Sequence, residues 1–493
     1  MTIIPKPASI QLRAGSFVCT EVPEITGDPV FSREMETVQH QLGSPRGKIR
    51  ILCTKVDSLP DESYRITIDP EQVQIAAGAG AGMYHGLQTI RQLFLSGQPV
   101  PCAYIEDYPR FHWRGFMLDT SRHFYTVPFI KKLIDVLSLH HINRFHWHLT
   151  DDQGWRLPVP AYPLLTEIGS KRVKCRPVRE HRAGGFYTEE EIRDIVEFAG
   201  NRHIEVIPEV DLPGHASAIL ASYPGLGCTG GPYRVEDRHG IFEDVLCAGN
   251  DAIFDLAAAV FDTLAGLFPS RYVHIGGDEV LFNRWDHCPK CQKRLQETGL
   301  SSARELQSWI TVRLARMLNE RGKIPIGWDE VLEDTDRYRL PQDAVIMSWR
   351  GTEGGEKALE QGHPVIMTPN TAGCYLDYKH YEDPEEPGHI GVTTIFDSYM
   401  LDPAQGIAPE YAESILGAQC NLWSELIYAG RIAEYMIFPR ICAAAEAFWT
   451  PAGQKDFDNF SSRLPVHQKR LDRLGFIQYR GHLKNPYSDT KNS

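Results

Sequence analysis

The sequence predicts an α/β protein in which a small α+β domain precedes a (β/α)8 TIM barrel. From Arg114 onward, short apolar strand patterns alternate with longer helical patterns, which is typical of βα units and a parallel sheet. Eight such strands can be counted. Polar, charged and aromatic residues follow each of them, as expected at the functional end of a barrel.

Residues 1–106 are predicted to form the α+β domain, and residues 107–493 the catalytic barrel. Gly80–Leu95 carries Met83, Leu87 and Ile90 at helical spacing and predicts an amphipathic helix. Tyr108-Pro109 indicates a nearby boundary, because proline restricts the residue before it. The predicted strands of this domain are Ser9–Leu12, Ile49–Leu52, Tyr64–Ile68 and Gln72–Ile75.

The predicted barrel strands are Gly115–Leu118, Arg144–Leu149, Ile204–Pro208, Tyr272–Ile275, Ile324–Trp328, Ala344–Trp349, Pro364–Met367 and Ile415–Cys420. The predicted helices are Pro128–His140, Thr188–Arg202, Ala252–Phe268, Ala303–Arg321 and, closing the ring, Glu434–Phe448. Between the seventh and eighth strands, the segment from Pro369 to Glu413 is long and irregular, so the pattern there is weaker.

The fourth predicted strand leads into the most informative stretch, Gly276-Gly277-Asp278-Glu279. The glycines allow a sharp turn and leave room for a ligand. Like charges at the end of a buried strand resist joint ionisation, so one carboxylate raises the pKa of the other. An isolated Asp-Glu pair is also compatible with a solvated turn, and the preceding strand and glycines favour a functional pair.

The other predicted strand ends carry similar chemistry. Trp faces can wall the apolar patches of a sugar, while Arg and carboxylates bind hydroxyls. Cleavage of a glycosidic bond needs an acid and support for a positively charged carbon. The polar and aromatic residues at these ends include Arg122, Asp151, Asp211, His215, Trp328, Trp349, Tyr375, Asp377, Trp423 and Glu425.

Several segments resemble the family 20 glycoside hydrolases, the β-N-acetylhexosaminidases. They occur in order and cover residues 107–450, and the N-terminal unit resembles the small domain that precedes the barrel in that family. The segments are Asp119-Thr-Ser-Arg122-His123-Phe124, His148-Leu-Thr-Asp151-Asp152-Gln-Gly-Trp155-Arg156, Pro208-Glu-Val-Asp211-Leu-Pro-Gly-His215, His274-Ile-Gly-Gly-Asp278-Glu279, Gly327-Trp328, Ser348-Trp349, Tyr375-Leu-Asp377 and Trp423-Ser-Glu425.

The resemblance implies an exo-acting, retaining enzyme for terminal β-linked GlcNAc or GalNAc, with no cofactor and no metal. Glu279 would be the general acid and base. The substrate's own acetamido oxygen would attack the anomeric carbon to give an oxazolinium intermediate, with Asp278 on the acetamido nitrogen and Tyr375 on its oxygen.

The remaining roles implied by the resemblance concern binding and positioning. Trp328, Trp349 and Trp423 would form the acetamido pocket. Arg122 and Glu425 would hold hydroxyls 3 and 4, with Asp377 on another hydroxyl. The residues expected to orient the catalytic pair are Asp151, Asp211, His215 and His274, of which Asp151 and His215 are also expected at the substrate.

Two other functions remain open from sequence. His146 and His148 share one face of a strand, and with Asp151, His215 and Asp278 they could bind a divalent metal. A barrel that binds carbohydrate without cleaving it is a further alternative. Its expected signature is a substitution at Asp278 or Glu279, and both residues are present.

Composition excludes some partners. The net charge of −13 argues against nucleic acid, and no apolar stretch approaches the length of a membrane span. The start has no charged-then-apolar leader, which predicts either a cytoplasmic protein or an exported one whose leader was removed. The 11 cysteines show no framework spacing. Cys288-Pro-Lys-Cys291 lacks an adjacent second ligand pair, so a plain loop or helix start is expected there rather than zinc.

Overall fold

A computed structural model describes residues 1–19, 21–46, 49–172, 184–333 and 337–481. Its N-terminal unit is a six-stranded sheet of order β1-β6-β4-β5-β3-β2. The strands are β1 (Ser9–Phe17), β2 (Glu24–Gly27), β3 (Arg50–Lys55), β4 (Tyr64–Ile68), β5 (Val73–Ala77) and β6 (Val100–Asp107), and the helices are α1 (Ser32–Leu42) and α2 (Gly80–Leu95).

The N-terminal sheet forms because its strands alternate apolar and polar residues, and the apolar face packs against the helices. Ile66 and Ile75 pair across β4 and β5 and are fully buried together with Met83 and Leu87 of α2. Helix α2 has the predicted bounds. Strands β2 and β6 were missed by the sequence prediction.

The second unit is a closed barrel of eight parallel strands, so the predicted fold class is confirmed. All eight predicted segments are barrel strands, with ends that differ by at most two residues. The strands are β7 (Trp113–Asp119), β8 (Arg144–His148), β9 (Glu205–Glu209), β10 (Tyr272–His274), β11 (Ile324–Trp328), β12 (Val345–Ser348), β13 (Val365–Met367) and β14 (Ile415–Leu422).

Helices surround the barrel and bury its outer face. The larger ones are α3 (Val127–Leu139), α4 (Glu189–Gly200), α5 (Ala252–Leu267), α6 (Ala303–Asn319), α7 (Glu353–Glu360), α8 (Gly430–Ile437), α9 (Arg440–Trp449) and α10 (Phe457–Arg473). Connecting segments hold the helices Leu164–Glu167, Ser217–Ser222, Asn283–His287, Pro289–Thr298 and Ile395–Met400, and the short strands Thr150–Asp151, Gly154–Trp155, Tyr378–Lys379 and His389–Val392.

The predicted closing helix Glu434–Phe448 is wrong as a single element, because the chain forms two helices that break at Phe438-Pro439. Phe438 is extended, with φ −102° and ψ 135°. Proline disfavours a helical conformation in the residue before it and has no N–H to donate. Helix α10 was not predicted. Its Arg470 returns to the N-terminal unit and donates to the Thr2 carbonyl at 2.6 Å.

No helix within the described ranges is long and apolar enough to cross a bilayer. The carboxyl ends of all eight strands lie at one end of the barrel, so the segments that follow them meet there. This end holds the candidate site.

Candidate active site

A pocket of about 590 Å³ opens at the carboxyl end of the barrel, and nine of the thirteen residues singled out from sequence line it. Asp151, Asp211, His215 and His274 lie behind these residues and contact them or one another. Tyr378 and His389 also line the pocket and were missed. The nine are Arg122, Asp278, Glu279, Trp328, Trp349, Tyr375, Asp377, Trp423 and Glu425.

The turn after β10 places the adjacent carboxylates. Gly276 and Gly277 have φ of 67° and 96°, and Glu279 also adopts a left-handed conformation with φ of 50°. A Cβ on Gly276 would lie 1.7 Å from the Asp211 Oδ1 atom, so only glycine fits there. The Gly277 N–H donates to the same Asp211 oxygen at 3.0 Å. The strained turn therefore depends on Asp211.

Asp278 is buried against Asp211 and His215. The His215 Nε2 atom lies 3.7 Å from the Asp278 carboxylate. Burial raises the pKa of Asp278 well above its usual range, and the neighbouring Asp211 carboxyl adds to the shift. Burial also raises the pKa of Asp211 to about 6. Two carboxyls so close resist joint ionisation, so the pair keeps a proton that a solvated pair would lose.

Glu279 is the more exposed of the two carboxylates, with 30% of its side chain accessible. Its Oε2 atom lies 3.6 Å from His215 Nε2. Burial raises the pKa of Glu279, against the opposing charges of His215 and Arg122. A carboxyl with a raised pKa at the mouth of a pocket is a competent proton donor.

His215 is fixed by a second carboxylate network. Its Nδ1 atom lies 3.1 Å from Asp151 and 3.3 Å from Asp152. Burial alone would lower the pKa of His215, but the Asp151 carboxylate raises it well above its usual range. The positively charged form of His215 is therefore favoured between Asp151 and the turn that carries Asp278 and Glu279.

Arg122 lines the pocket and is held in place by three carboxylates. Its guanidinium lies 2.8 Å from Asp151, 3.1 Å from Asp119 and 3.5 Å from Glu425. It also stacks over the Trp423 ring at 5.0 Å. These contacts fix the direction of its remaining N–H groups, which suits recognition of hydroxyls.

Beneath the pocket, the carboxylate of the fully buried Glu209 lies against three histidines and accepts from a tryptophan, and the sequence analysis did not single it out. Its oxygens lie 2.5 Å from His148 and 2.9 Å from His146 and His274, and the Trp328 indole N–H donates to it at 3.0 Å. Its position at the end of β9 was the available signal. His274 packs against Trp328 with ring centroids 4.6 Å apart, and its Nδ1 atom accepts from the Gly276 N–H at 3.0 Å.

The metal alternative required five donors to meet, and in the described residues they are divided among separate groups. His146 lies with Glu209 and His274, Asp151 with Asp152 and His215, and Asp278 with Asp211 and His215. His148 bridges Glu209 and Asp151.

The apolar walls of the pocket are aromatic. The rings of Trp328 and Trp423 lie 5.8 Å apart. The Trp349 indole N–H donates to Glu330 at 2.8 Å, and burial, together with the charge of Asp278, raises the pKa of Glu330 to about 9. Burial raises the pKa of the Tyr375 hydroxyl well above its usual range, so this hydroxyl at the pocket wall keeps its proton.

Three buried carboxylate oxygens of the pocket have no hydrogen-bond partner: Asp278 Oδ1, Asp377 Oδ1 and Glu425 Oε2. Leaving a buried acceptor unpaired costs about 1–3 kcal/mol each. Burial, reinforced by the charge of Glu425, raises the pKa of Asp377 well above its usual range. Acceptors arranged in this way fit a neutral ligand rich in N–H and O–H donors.

Comparison with known proteins places both units of the chain in one family of enzymes. Residues 111–452 match the sequence model of the glycosyl hydrolase family 20 catalytic domain, and residues 1–108 match that of glycosyl hydrolase family 20, domain 2.

Individual relatives agree. A beta-hexosaminidase of Porphyromonas gingivalis is 42% identical over 85% of this chain, which spans about half (54%) of that relative's length. A beta-hexosaminidase of Akkermansia muciniphila is 35% identical over 84% of this chain and 85% of its own. Among solved structures, the chain is similar to a GH20 exo beta-N-acetylglucosaminidase from Vibrio harveyi in complex with N-acetylglucosamine. The two sequences are 32% identical and the structures superpose with a TM-score of 0.87. The match covers 97% of this chain and 78% of the Vibrio harveyi chain.

Proposed function

This chain belongs to glycosyl hydrolase family 20, and on that premise we propose that it is an exo-acting, retaining β-N-acetylhexosaminidase for terminal β-linked GlcNAc or GalNAc. The family expected from sequence is confirmed, and the chain is a glycoside hydrolase. The observation that carries the finer proposal is the set of three unpaired carboxylate oxygens in an aromatic pocket. An N-acetylhexosamine supplies one N–H and several O–H donors to such a pocket.

In the proposed reaction, Glu279 donates a proton to the leaving oxygen as the glycosidic bond breaks. Its partial exposure and raised pKa support this role. The substrate's acetamido oxygen forms the new bond to the anomeric carbon, as is known for this family. Glu279 then removes a proton from the water that opens the oxazolinium ring, which regenerates the carboxyl and retains the configuration.

Asp278 would accept the acetamido N–H on its unpaired Oδ1 atom. The coupled Asp211–Asp278 pair would place its negative charge beside the nitrogen on which positive charge develops. Tyr375 would donate its hydroxyl proton to the acetamido oxygen. An intramolecular nucleophile needs only to be held in line, so a tight acetamido site can supply much of the rate enhancement.

Arg122, Asp377 and Glu425 would bind the sugar hydroxyls, and the three tryptophans would wall the ring and the acetamido methyl group. Asp151 and His215 would act from behind, through Arg122 and the catalytic turn, rather than by direct contact. His274 would support Trp328 by ring contact and the turn before Asp278 through the Gly276 N–H. The substrate would be an oligosaccharide or glycoconjugate that ends in this sugar, and the Vibrio harveyi relative, an exo beta-N-acetylglucosaminidase, binds N-acetylglucosamine.

The test compares matched chromogenic substrates that differ only in the sugar: β-GlcNAc, β-GalNAc and β-glucoside. The acetamido substrates should be cleaved with a kcat/KM at least roughly a hundredfold above that of the glucoside, because the glucoside lacks the internal nucleophile. Comparable rates for all three would refute substrate assistance.

A second experiment tests whether the hydrolysis takes place in this pocket. Glu279→Gln should lower kcat by about 10²–10⁴-fold while leaving substrate binding nearly intact. The exposed Glu385 lies in a connecting segment, and Glu385→Gln is the matched control that should keep full activity. Full activity in Glu279→Gln would remove Glu279 from the proposed role.

A further inference from the structure

Four cysteines converge at a point outside the pocket: Cys228, Cys247, Cys288 and Cys291. Cys228 and Cys247 come from the segment after β9, while Cys288 and Cys291 come from the segment after β10. Three of the four are buried, and Cys228 is partly exposed. The described cysteines form no disulfide.

The sulfur positions match a tetrahedron of metal ligands. Cys247 Sγ lies 3.6 Å from Cys291 Sγ and 3.8 Å from Cys288 Sγ, and Cys228 Sγ lies 3.8 Å from Cys291 Sγ. All four atoms lie within 4.8 Å of one another. Four thiolates around Zn²⁺, with Zn–S bonds of about 2.3 Å, place neighbouring sulfurs about 3.8 Å apart.

The backbone is shaped to hold this cluster. Cys288 caps the helix Pro289–Thr298, and Cys291 lies in its first turn, where free N–H groups and the helix dipole favour negative charge. A Cβ on Gly249 would lie 2.2 Å from the Lys290 carbonyl carbon, so glycine permits the close approach of the two segments.

We propose that these four cysteines bind a structural zinc ion. The sequence did not predict this site, because the other two ligands, Cys228 and Cys247, lie forty or more residues before Cys288. They are also nineteen residues apart, so they do not form a second CxxC motif. Tetrahedral thiolate coordination with no open position is typical of a structural site rather than a catalytic one. The ion would cross-link the two segments that flank the Asp278-Glu279 turn, independently of which sugar the pocket binds.

The test measures metal in the full chain, purified without chelator and with any affinity tag removed. Elemental analysis should find about one zinc ion per chain, and denaturation in chelator should expose all 11 thiols to a thiol reagent. Replacement of the zinc by Co²⁺ should give the intense absorption of a tetrahedral thiolate site. These measurements need no variant and therefore do not depend on whether a mutant folds.

Variants then locate the ion. Cys291→Ser should reduce the zinc content at least tenfold and lower the melting temperature. Cys442→Ser is the matched control, because Cys442 is equally buried and lies in a different group of donors with His140 and His467. It should leave the zinc content unchanged.

Three outcomes would overturn the proposal. Zinc-free protein with fewer than 11 free thiols would indicate disulfides among these cysteines. Stoichiometric iron with visible absorption would identify another metal. Zinc lost in Cys442→Ser and kept in Cys291→Ser would place the ion elsewhere.

Discussion

At the residue scale, Asp377 lowers the stability of the free protein because one of its carboxyl oxygens is buried without a hydrogen-bond partner. Its Oδ1 atom is buried without a partner, and burial together with Glu425 raises the pKa of Asp377 well above its usual range. A folded state that disfavours ionisation of a group loses stability as pH rises above the pKa of that group in the unfolded chain. The residue therefore opposes folding at neutral pH unless a ligand donates to it.

Asp377→Asn is expected to change stability and activity in opposite directions. Removal of the buried charge should raise the melting temperature of the free protein, by a margin that grows from pH 4 to pH 8. Because Asp377 is proposed to accept from a sugar hydroxyl, its replacement should lower kcat/KM by roughly 10- to 100-fold. Thermal unfolding across this pH range and steady-state kinetics measure the two effects.

Asp383→Asn provides the control, because Asp383 is an exposed aspartate in the segment that follows Asp377. It should change neither quantity appreciably. A less stable Asp377→Asn protein, or one with full activity, would contradict the assignment of Oδ1 as a vacant acceptor for the substrate.

At the scale of elements, the turn between β10 and Glu279 depends on one close contact. Gly276→Ala adds a methyl group 1.7 Å from Asp211 Oδ1, so Asp211 must move and release the Gly277 N–H. Because Asp211 holds the turn through the Gly277 N–H and adds to the raised pKa of Asp278, kcat should fall at least roughly tenfold, and circular dichroism should still show a folded protein.

The control for this change is Gly406→Ala. Gly406 also has a positive φ, 80°, but a Cβ there meets nothing within 4 Å. Both variants carry similar backbone strain, on the order of 1 kcal/mol. Only Gly276→Ala should lose activity, and an equal loss in both would trace the effect to backbone strain rather than to Asp211.

The elements that sequence predicted well are those with a strong local pattern. The eight barrel strands are short apolar runs bounded by polar residues, and α2 has a clear helical period. The predicted helix that the structure contradicts was misjudged because a local effect of proline overrides the apolar pattern. The helical period of Glu434–Phe448 continues through Pro439, whose effect on Phe438 ends the first helix.

The site residues divide in a similar way. Asp278, Glu279 and Trp423 could be predicted because each lies at a strand end within a distinctive segment. Glu209 also lies at a strand end, but its three histidine neighbours are brought together only by barrel closure, so the sequence did not distinguish it from the other polar residues there. Cys228 and Cys247 were missed for the same reason, since their convergence with Cys291 is a property of the folded chain.

At the scale of the whole molecule, the N-terminal unit and the barrel are joined by buried polar contacts rather than by apolar packing alone. The fully buried Arg114 is the second residue of β7, and its guanidinium lies 2.5 Å from Glu62 of the N-terminal unit. It also donates to the carbonyls of Phe111 and His141 and stacks over Trp449. Removal of one partner of such a pair leaves the other charge buried and unpaired.

Glu62→Gln is therefore expected to destabilise the protein by on the order of 3 kcal/mol at neutral pH. Glu106→Gln is the matched control, since Glu106 pairs with Arg65 at 2.8 Å while both side chains are about 40% exposed, and it should cost no more than about 1 kcal/mol. Burial alone would raise the pKa of Glu62, but Arg114 and His85 hold it well below its usual range.

A carboxyl whose pKa is lowered by folding binds fewer protons in the folded chain than in the unfolded chain. Its contribution to the free energy of unfolding is therefore fully present above the unfolded pKa of about 4.3, and it is lost as the pH falls toward the folded pKa. The difference in unfolding free energy between Glu62→Gln and the unmodified protein should accordingly shrink as pH falls below about 4. Denaturant unfolding at pH 7 and at lower pH measures it. A penalty for Glu62→Gln no larger than that for Glu106→Gln would mean that the Glu62–Arg114 pair does not hold the two units together.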